Sequence, residues 1–218
     1  MKRSFRTFLS LGLSLTLSLP AFGQAPRPEP GKLHVFKGTG GVVLEHQLPE
    51  GFPDDVNPRL FATFTSPVPM ATMVVLFRAV TDEWEKDSDE RIKKGWGRYE
   101  HYVEMRLDPV TGKQRALLPV PKSGTTVAYY RIIGLDTAGG DVDTGDLQMR
   151  VDDDYDLELT DAEKVLAKEL VIGQTGDVQD EIPRGWKCDG VISQIEPDGT
   201  LKPAGCGGAF PWWIPVVV

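Results

Sequence analysis

The chain has 218 residues, and its 32 acidic residues outnumber its 24 lysines and arginines, which sets the net charge at −8. Nucleic acids and anionic lipid surfaces repel a protein of this sign, so neither is expected as a partner. The length allows one domain of ordinary size with an appendage, or two small domains.

The first 23 residues have the pattern of a secretory signal peptide. Basic residues precede a Leu-rich run from Phe8 to Leu19, and the small residues Ala21 and Gly23 mark a cleavage site. The apolar run is shorter than the ~20 residues that span a bilayer, which favours cleavage after Gly23 over an uncleaved anchor. Cleavage would remove three basic residues and no acidic one, so the net charge would become −11. We therefore expect a periplasmic or secreted protein of a Gram-negative-type bacterium, with no membrane span after cleavage.

A Pro-rich linker, residues 24–31, follows the leader, and from residue 32 to residue 156 short β-prone runs alternate with turn residues. Three prolines in alternate positions of the linker favour an extended polyproline II spacer. The β-prone runs are LHVF, GVVLEH, LFATFT, MATMVVLFR, YEHYVEMRL, KQRALLPV, TVAYYRIIGL and DLQMRV. Short strands with Gly, Pro and Asp between them are typical of two packed antiparallel sheets. We predict a mainly β fold in which residues 32–156 form an antiparallel β-sandwich.

The segment YRIIGLDTAGG, residues 130–140, resembles the penultimate strand and turn of the immunoglobulin-like and fibronectin type III-like β-sandwiches of bacterial envelope proteins. The upstream runs PRLFATFTSPVPMATMVVLFRAV and ALLPVPKSGTTVAYYR are similar to the strands before it, so the resemblance covers the chain from His46 to Val151. It implies that Tyr130 buries its ring and bonds its hydroxyl to the backbone, and that Asp136 helps to make a turn. Sandwiches of this class serve adhesion, scaffolding, ligand binding or spacing, so the resemblance implies a binding role only in outline.

A long insert, residues 79–98, interrupts the resemblance and carries mixed charge together with Trp84 and Trp96. Loops of this length in compact domains are often functional, whereas exposed charge runs are usually solvated. Two interpretations therefore stay open, a solvated acidic excursion and a binding loop that presents its tryptophans.

Signals for a helix follow the predicted sandwich. Thr160 is a predicted N-cap, and Glu163 three residues later completes a capping box. Gly173 is the predicted C′ residue that ends the helix. The body places four apolar residues on one stripe, which we expect to be buried against the sandwich or the C-terminal segment. These residues are Ala162, Val165, Leu166 and Leu170.

The only two cysteines, Cys188 and Cys206, flank a predicted β-hairpin. The runs VISQI and TLK surround EPDG, whose proline and glycine suit a tight turn. If either Ile195 or Glu196 pairs with Thr200, the cysteines come close to facing each other, at a separation that a disulfide accepts. Export favours oxidation, and a zinc ion would need two further ligands. The sequence therefore predicts a capped helix, a disulfide-closed hairpin and an apolar tail over residues 157–218.

The tail itself, PWWIPVVV, is β-prone and terminal. Such a segment can add a strand to its own sheet or to a partner's sheet.

No hydrolase or phosphate-binding motif occurs in the chain, and no catalytic residue or cofactor is predicted. The three histidines have no nucleophile nearby in sequence, which favours structural roles for them. Four aspartates are spaced loosely like an EF-hand loop, namely Asp141, Asp143, Asp146 and Asp152. The glycine of this stretch falls one position early and the closing residue is not a bidentate Glu, so an acidic turn is favoured over a Ca²⁺ site.

Tryptophans give the clearest indication of binding. Trp84 and Trp96 lie in the insert, and a second group surrounds the cysteines, namely Trp186, Trp212 and Trp213. Exposed tryptophans can stack on sugar rings or anchor a protein interface, whereas the second group could instead cover a small C-terminal core.

The function that we favour from these patterns is non-catalytic binding or assembly at the cell envelope, with an envelope or extracellular protein as the partner. The first alternative is a carbohydrate-binding accessory module that uses the loop tryptophans. The second is a secreted hydrolase whose site is assembled from distant carboxylates.

Overall fold

The structure is a computed structural model, and it describes residues 28–81, 101–175, 183, 185–187, 190–195 and 201–203. The described residues form fourteen β-strands in two sheets and one α-helix, so the predicted mainly β fold is confirmed. The elements are β1 (Leu33–Lys37), β2 (Val43–Gln47), β3 (Gly51–Phe52), β4 (Arg59–Thr65), β5 (Met70–Thr81), β6 (His101–Glu104), β7 (Arg106–Leu107), β8 (Gln114–Leu117), β9 (Thr125–Asp136), β10 (Asp141–Asp143), β11 (Leu147–Val151), α1 (Asp161–Lys168), β12 (Val171–Gln174), β13 (Val191–Ile195) and β14 (Leu201–Pro203).

Each of the eight predicted β-prone runs contains a strand, and one of them serves both sheets. In YEHYVEMRL, β6 pairs with β5 of the larger sheet, whereas β7 pairs with β8 of the smaller sheet. Met105 lies between the two strands and is buried, which marks the point where the chain crosses from one sheet to the other. β5 also runs to Thr81, three residues into the predicted insert, and residues 82–100 lie outside the described part of the chain.

The smaller sheet has the order β1-β2-β4-β8-β7, and the larger sheet has the order β14-β13-β12-β6-β5-β9-β11-β3, with β10 also paired to β9. Two pairs are parallel, β11 with β3 and β12 with β13, and the prediction of an antiparallel sandwich over residues 32–156 is wrong for the first of them, since β12 and β13 lie after that range. The alternation of apolar residues along a strand reports which face is buried and not the direction of the neighbouring strand, which is why sequence did not reveal the parallel pairs.

The core lies between the two sheets as one continuous cluster of buried apolar side chains. β5 and β9 form its centre, because they pair along almost their whole length of 12 residues each. Every second residue of these strands is buried, including Val75, Phe77, Tyr130 and Ile132. Leu44 and Leu60 of the smaller sheet are buried in the same cluster, so the two sheets share one core.

The capping box that begins α1 is confirmed. The hydroxyl of Thr160 accepts a hydrogen bond from the backbone N–H of Glu163, and the Glu163 carboxylate accepts one from the N–H of Thr160. The helix ends at Lys168, so the prediction that Gly173 is its C′ residue is wrong, and Gly173 instead lies in β12. The reason is the β-prone pair that follows Leu170, because Ile172 is buried in the core as part of the sheet.

The predicted burial of the apolar stripe of α1 is also wrong. Val165 is 57% exposed and Leu166 is 38% exposed, while Ala162 is exposed as well. Glu163 is the buried residue of the helix, and only Leu170, beyond the helix end, is buried as expected. Arginines on the outward face of the smaller sheet bind Glu163, so the helix turns its acidic side to the sandwich and its apolar stripe to solvent.

The chain after residue 156 extends the larger sheet. β12 pairs with β6, β13 pairs with β12, and β14 pairs with β13. In the hairpin Ile195 lies opposite Leu201, which is the second of the two predicted registers. Cys188, Cys206 and the tail at 211–218 lie outside the described residues, so the disulfide and the added strand stay predictions.

Candidate binding surface

The larger sheet has one face against the core and one face turned away from the smaller sheet, and the second face is lined with apolar and aromatic side chains. Side chains alternate along a strand, so the sequence neighbours of the buried Val75, Phe77 and Tyr130 point outward. We call this surface the outer face. On the three central strands its partly exposed side chains are Val74, Leu76, Arg78, Val80, Tyr102, Val127, Tyr129, Arg131 and Ile133, and the exposed Glu104 of β6 lies opposite Val74 on the same face.

Cross-strand pairing arranges the outer face in a regular order. The pairs on β5 and β9 are Val74 with Ile133, Leu76 with Arg131, Arg78 with Tyr129, and Val80 with Val127. Apolar pairs therefore lie at both ends, and the two arginines lie between them, each opposite an apolar or aromatic side chain. On β6, Tyr102 lies beside Leu76, and its ring occupies the space that a Cβ at Gly173 would need.

Arg78 and Tyr129 form the aromatic centre of the outer face. The guanidinium carbon of Arg78 lies 4.6 Å from the centroid of the Tyr129 ring, a distance typical of a cation–π contact. The same guanidinium group lies 3.6 Å from a carboxylate oxygen of Asp146. The contact with Tyr129 holds the arginine flat against the sheet, so its charge is presented next to apolar surface.

Arg131, the second arginine, binds Asp143 through two parallel hydrogen bonds, one of them 2.6 Å long from Nε to Oδ1. Partial burial of Asp143 raises its pKa, but the bonds from Arg131 and from the backbone N–H of Gly145 outweigh this effect, and the pKa is lowered overall. The pair is therefore ionised at neutral pH. Two parallel hydrogen bonds between a guanidinium group and a carboxylate fix the orientation of both side chains.

A small cavity of about 150 Å³ opens beside Tyr129. It combines apolar walls with a carboxylate, an amide and a phenol ring. The lining residues are Pro28, Leu48, Tyr129, Asp146, Leu147 and Gln148. Its volume is below that of the pockets that hold drug-sized ligands, so it suits a single small polar group or sugar unit.

The four aspartates with EF-hand-like spacing each have a separate partner. Asp143 binds Arg131, Asp146 binds Arg78, and Asp141 binds the hydroxyl of Thr39. The fourth, Asp152, accepts a hydrogen bond from the backbone N–H of Asp154. Among the described residues no group of three or more His, Cys, Asp or Glu side chains is placed to hold a metal ion.

Trp186 lies in the core of the sandwich with no exposed surface. Its ring packs edge-on against Phe77 at a centroid distance of 5.3 Å and stacks near Phe52 at 6.5 Å. The ring is therefore closed to a ligand, and its buried Nε1–H has no hydrogen-bond partner among the described residues. The other predicted binding residues, Trp84, Trp96, Trp212 and Trp213, lie outside the described part of the chain.

Tyr130 is fully buried, as the resemblance implies, but its hydroxyl bonds to a side chain and not to the backbone. It lies 2.6 Å from Nε2 of His46 on the smaller sheet, while Nδ1 of His46 lies 2.7 Å from the carbonyl oxygen of Phe61. A carbonyl can only accept, so Nδ1 carries the proton and Nε2 accepts from the tyrosine. Burial lowers the pKa of His46 to about 4, and burial also raises the pKa of Tyr130.

The other two histidines also have structural partners. Nε2 of His34 lies 2.9 Å from the carbonyl oxygen of Glu29 in the linker, and Nε2 of His101 lies 3.4 Å from the amide nitrogen of the buried Gln174. These contacts tie the linker to β1 and tie β6 to β12. Each histidine is thus used in holding elements together.

The residues of the outer face were not singled out from the sequence, although a signal for them exists. Arg78 and Arg131 are the charged residues within two otherwise apolar strand runs, MATMVVLFRAV and TVAYYRIIGL. An arginine in a run of this kind indicates that one face of the strand reaches water. Sequence could not pair the two arginines with their neighbours, because those contacts depend on the register between β5 and β9.

A comparison of the chain with protein-family models, with curated proteins and with solved structures finds no match. A helix that crosses a bilayer needs about 20 apolar residues, and the described residues include no helix of that kind.

Proposed function

We propose that the chain is an exported, non-catalytic binding or assembly protein of the bacterial cell envelope, and that it binds a protein partner through the outer face of the larger sheet. The signal-peptide pattern of residues 1–23 supports export. The composition of the outer face supports the binding role and is the observation that carries the proposal.

A sheet face that only meets water is normally polar, since apolar residues then occupy the inward positions alone. The central strands of the smaller sheet come nearer to this rule, because Glu45, Gln47, Thr63 and Thr65 point outward beside two apolar residues, Val43 and Phe61. The outer face of the larger sheet departs from it, because the outward residues of β5 from Val74 to Val80 and their partners on β6 and β9 are five aliphatic residues, two tyrosines, two arginines and a single carboxylate, the exposed Glu104 opposite Val74. Aromatic residues and arginine are enriched in protein interfaces, whereas lysine and acidic residues are depleted there.

The fold that we propose for this role is an immunoglobulin- or fibronectin type III-like sandwich with added strands. Two facing sheets, a buried tyrosine in a central strand and a tight turn at Asp136 support it. The carboxylate of Asp136 accepts bonds from the backbone N–H groups of Ala138 and Gly140, which is the turn-making role implied by the resemblance. The fourteen described strands exceed the seven to nine of such domains, and the added ones include β12–β14.

Replacement of Leu76 by glutamate tests the proposal, with Thr63→Glu on the outward face of the smaller sheet as the matched control. Both side chains are partly exposed in central strands, so each variant adds one charge to a sheet surface. The mature protein and both variants are used as bait for solubilised envelope fractions, and thermal unfolding verifies that each is folded. We expect a specific partner that is captured by the wild type and by Thr63→Glu and is lost with Leu76→Glu. No capture by the wild type, or equal capture by both variants, contradicts the proposal.

The cavity beside Tyr129 favours glycan binding as a second function. Its ring, the Asp146 carboxylate and the Gln148 amide are groups that contact sugars, since aromatic rings stack on sugar faces and planar polar groups bond to hydroxyls. Calorimetric titration with soluble glycans tests this function. Binding that Tyr129→Ala abolishes and Leu76→Glu leaves in place would favour the glycan over a protein partner.

A further inference from the structure

The edges of the two sheets differ in how they are protected. A sheet edge presents unpaired backbone groups, and proteins blunt it with short strands, prolines or bulges. Among the described strands, β7 and β3 are edges of only two residues each, and β14 is an edge of three residues that ends in Pro203. β10, which pairs with β9, is another short edge of three residues. β1 is the remaining edge, and its one protective feature is the charge of Lys37 at its end. It spans five residues without proline, and its pairing with β2 runs without a register shift.

The side chains of β1 add an exposed apolar surface to this open edge. Leu33 is 62% exposed and Val35 is 53% exposed, and both point away from the core. Phe36, on the opposite face of the strand, packs against the core and holds β1 in place. Among the described strands β1 is therefore paired with β2 on one side only, its outward apolar residues are exposed, and β10 approaches it at the Gly38 end.

We propose that β1 is a self-association edge, which pairs antiparallel with β1 of a second copy about a two-fold axis at Val35. The burial of β1 alternates symmetrically about Val35, with outward residues at 33, 35 and 37 and inward residues at 34 and 36. Antiparallel pairing about this residue places outward positions beside outward positions and inward beside inward. The two smaller sheets then join into one continuous sheet with matching faces, which is the isologous contact that two-fold dimers use.

The same register also suits the side chains. Val35 faces Val35 of the second copy, and Leu33 faces Lys37, whose aliphatic stem can cover the leucine while its ammonium group stays in water. The two Lys37 side chains lie at opposite ends of the pair, about 14 Å apart along the strands, so like charges do not face each other. Leu33 and Val35 of each copy thereby gain neighbours across the pair, which reduces the apolar surface that they expose.

The strength of this association follows from its size. Five residue pairs give an interface at the small end of specific contacts, below about 1,200 Å² in total. We therefore expect a reversible dimer with a dissociation constant on the order of 10–100 µM, which becomes populated where the protein is locally concentrated. The contact uses the smaller sheet and leaves the outer face of the larger sheet free, so the two proposals can fail separately.

Analytical ultracentrifugation of the mature protein tests whether β1 self-associates. The protein is measured from about 1 to 500 µM, a range that brackets the expected dissociation constant. Val35→Lys places two ammonium groups opposite each other at the axis, whereas Thr65→Lys adds the same charge to an exposed outward position of β4. We expect a dimer in the wild type and in Thr65→Lys, and at least about a tenfold weaker dimer in Val35→Lys. A wild type that is monomeric throughout, or an equal loss of dimer in both variants, overturns the proposal.

Cysteine cross-linking checks the register independently of any change in charge. Directly opposed residues of an antiparallel pair have Cα atoms about 4.5–5.5 Å apart, a separation at which a disulfide forms. We expect Val35→Cys to give a covalent dimer on mild oxidation. Lys37→Cys, at a position with the same outward direction but about 14 Å from its counterpart, should give none. Equal cross-linking of the two variants, or none with Val35→Cys while the protein is folded, contradicts pairing about Val35.

Discussion

The hydroxyl of Tyr130 donates a hydrogen bond of 2.6 Å to the imidazole of His46, across the core and between the two sheets. Both side chains are almost fully buried, so the bond replaces the water contacts that each polar group gave up on folding. It requires a neutral His46, because Nδ1 already donates to the carbonyl oxygen of Phe61.

Acid should destabilise the protein through His46. Its pKa is about 4 in the folded protein and near 6.5 in the unfolded chain, so the unfolded chain binds the proton more readily between these values. The stability that neutral His46 provides is complete above about pH 6.5 and decreases as the pH falls towards 4. We expect the free energy of unfolding to decrease by about 2 kcal/mol between pH 7 and pH 5, measured by urea denaturation.

His46→Gln provides the control for this decrease, since it cannot titrate. The slope of stability against pH between 5 and 7 should be clearly smaller in this variant than in the wild type. The carboxylates with lowered pKa, such as Asp108 and Asp136, lose their contribution to the free energy of unfolding only below about pH 4. They therefore do not affect the slope between pH 5 and pH 7. An unchanged slope in His46→Gln would contradict the assignment.

Glu163 joins α1 to the smaller sheet. Its carboxylate lies 2.8 Å from the guanidinium group of Arg59 and 3.4 Å from that of Arg115, and it also accepts from the backbone of Thr160. Glu163→Gln keeps the shape but removes the charge that both arginines bind, so we expect a loss of about 2–3 kcal/mol in the free energy of unfolding. Asp161→Asn, in the same first turn but fully exposed, should change it by less than about 0.5 kcal/mol. Equal effects of the two changes would show that the ion pairs do not matter.

Gly38 is required by a close approach of two backbones. A Cβ at this position would lie against the carbonyl group of Asp141 and 2.8 Å from the Cα of Val142, where β10 meets the end of β1. Its φ of −107° is an ordinary value, so space and not backbone conformation is the constraint. We expect Gly38→Ala to cost about 3 kcal/mol in chemical denaturation.

The control for Gly38 separates crowding from backbone strain. Gly112 has a φ of +68°, and no atom lies within 4 Å of the position that a Cβ would occupy there. Gly112→Ala should therefore cost only about 1 kcal/mol, from its left-handed backbone. A smaller cost for Gly38→Ala than for Gly112→Ala would contradict the close approach.

The disulfide between Cys188 and Cys206 stays a prediction that thiol chemistry can decide. Protein isolated from the envelope without reductant and unfolded in denaturant should show no free thiol, and its mass should rise by two hydrogens on reduction. Because the bond closes a loop of moderate length, its reduction should lower the free energy of unfolding by about 3 kcal/mol. Two titratable thiols in the freshly isolated protein would rule the bond out.

Local sequence patterns were sufficient for the elements whose conformation is determined by residues close to them in the chain. Alternation in runs such as TVAYYRIIGL predicted the strands, and the Thr160–Glu163 spacing predicted the helix start, because both signals act within a few residues. The turn of the C-terminal hairpin narrowed its register to two possibilities, and the structure has the second of them.

Long-range partners decided the features that sequence did not reveal. The helix ends before Gly173 because the residues of β12 pair with β6, which lies some seventy residues earlier in the chain. The stripe of Val165 and Leu166 faces water because distant arginines draw Glu163 inward. The candidate surface was missed for a related reason: Arg131 marks the face of β9 that reaches water, but the contact of Tyr129 with Arg78 depends on the register between β9 and β5.

Trp186 packs between Phe52 and Phe77, so the core of the sandwich needs a residue from late in the chain before it is filled. Eleven of the described strands lie before residue 152, but the ring that packs between these two phenylalanines and the strand β12 that pairs with β6 come later in the chain. A nascent chain that has delivered only its first two thirds would hold a gap in its interior and an unpaired strand at its rim, both of which invite aggregation. Folding is therefore complete only when this last segment is in place, and a change in Trp186 fluorescence on refolding should report that step.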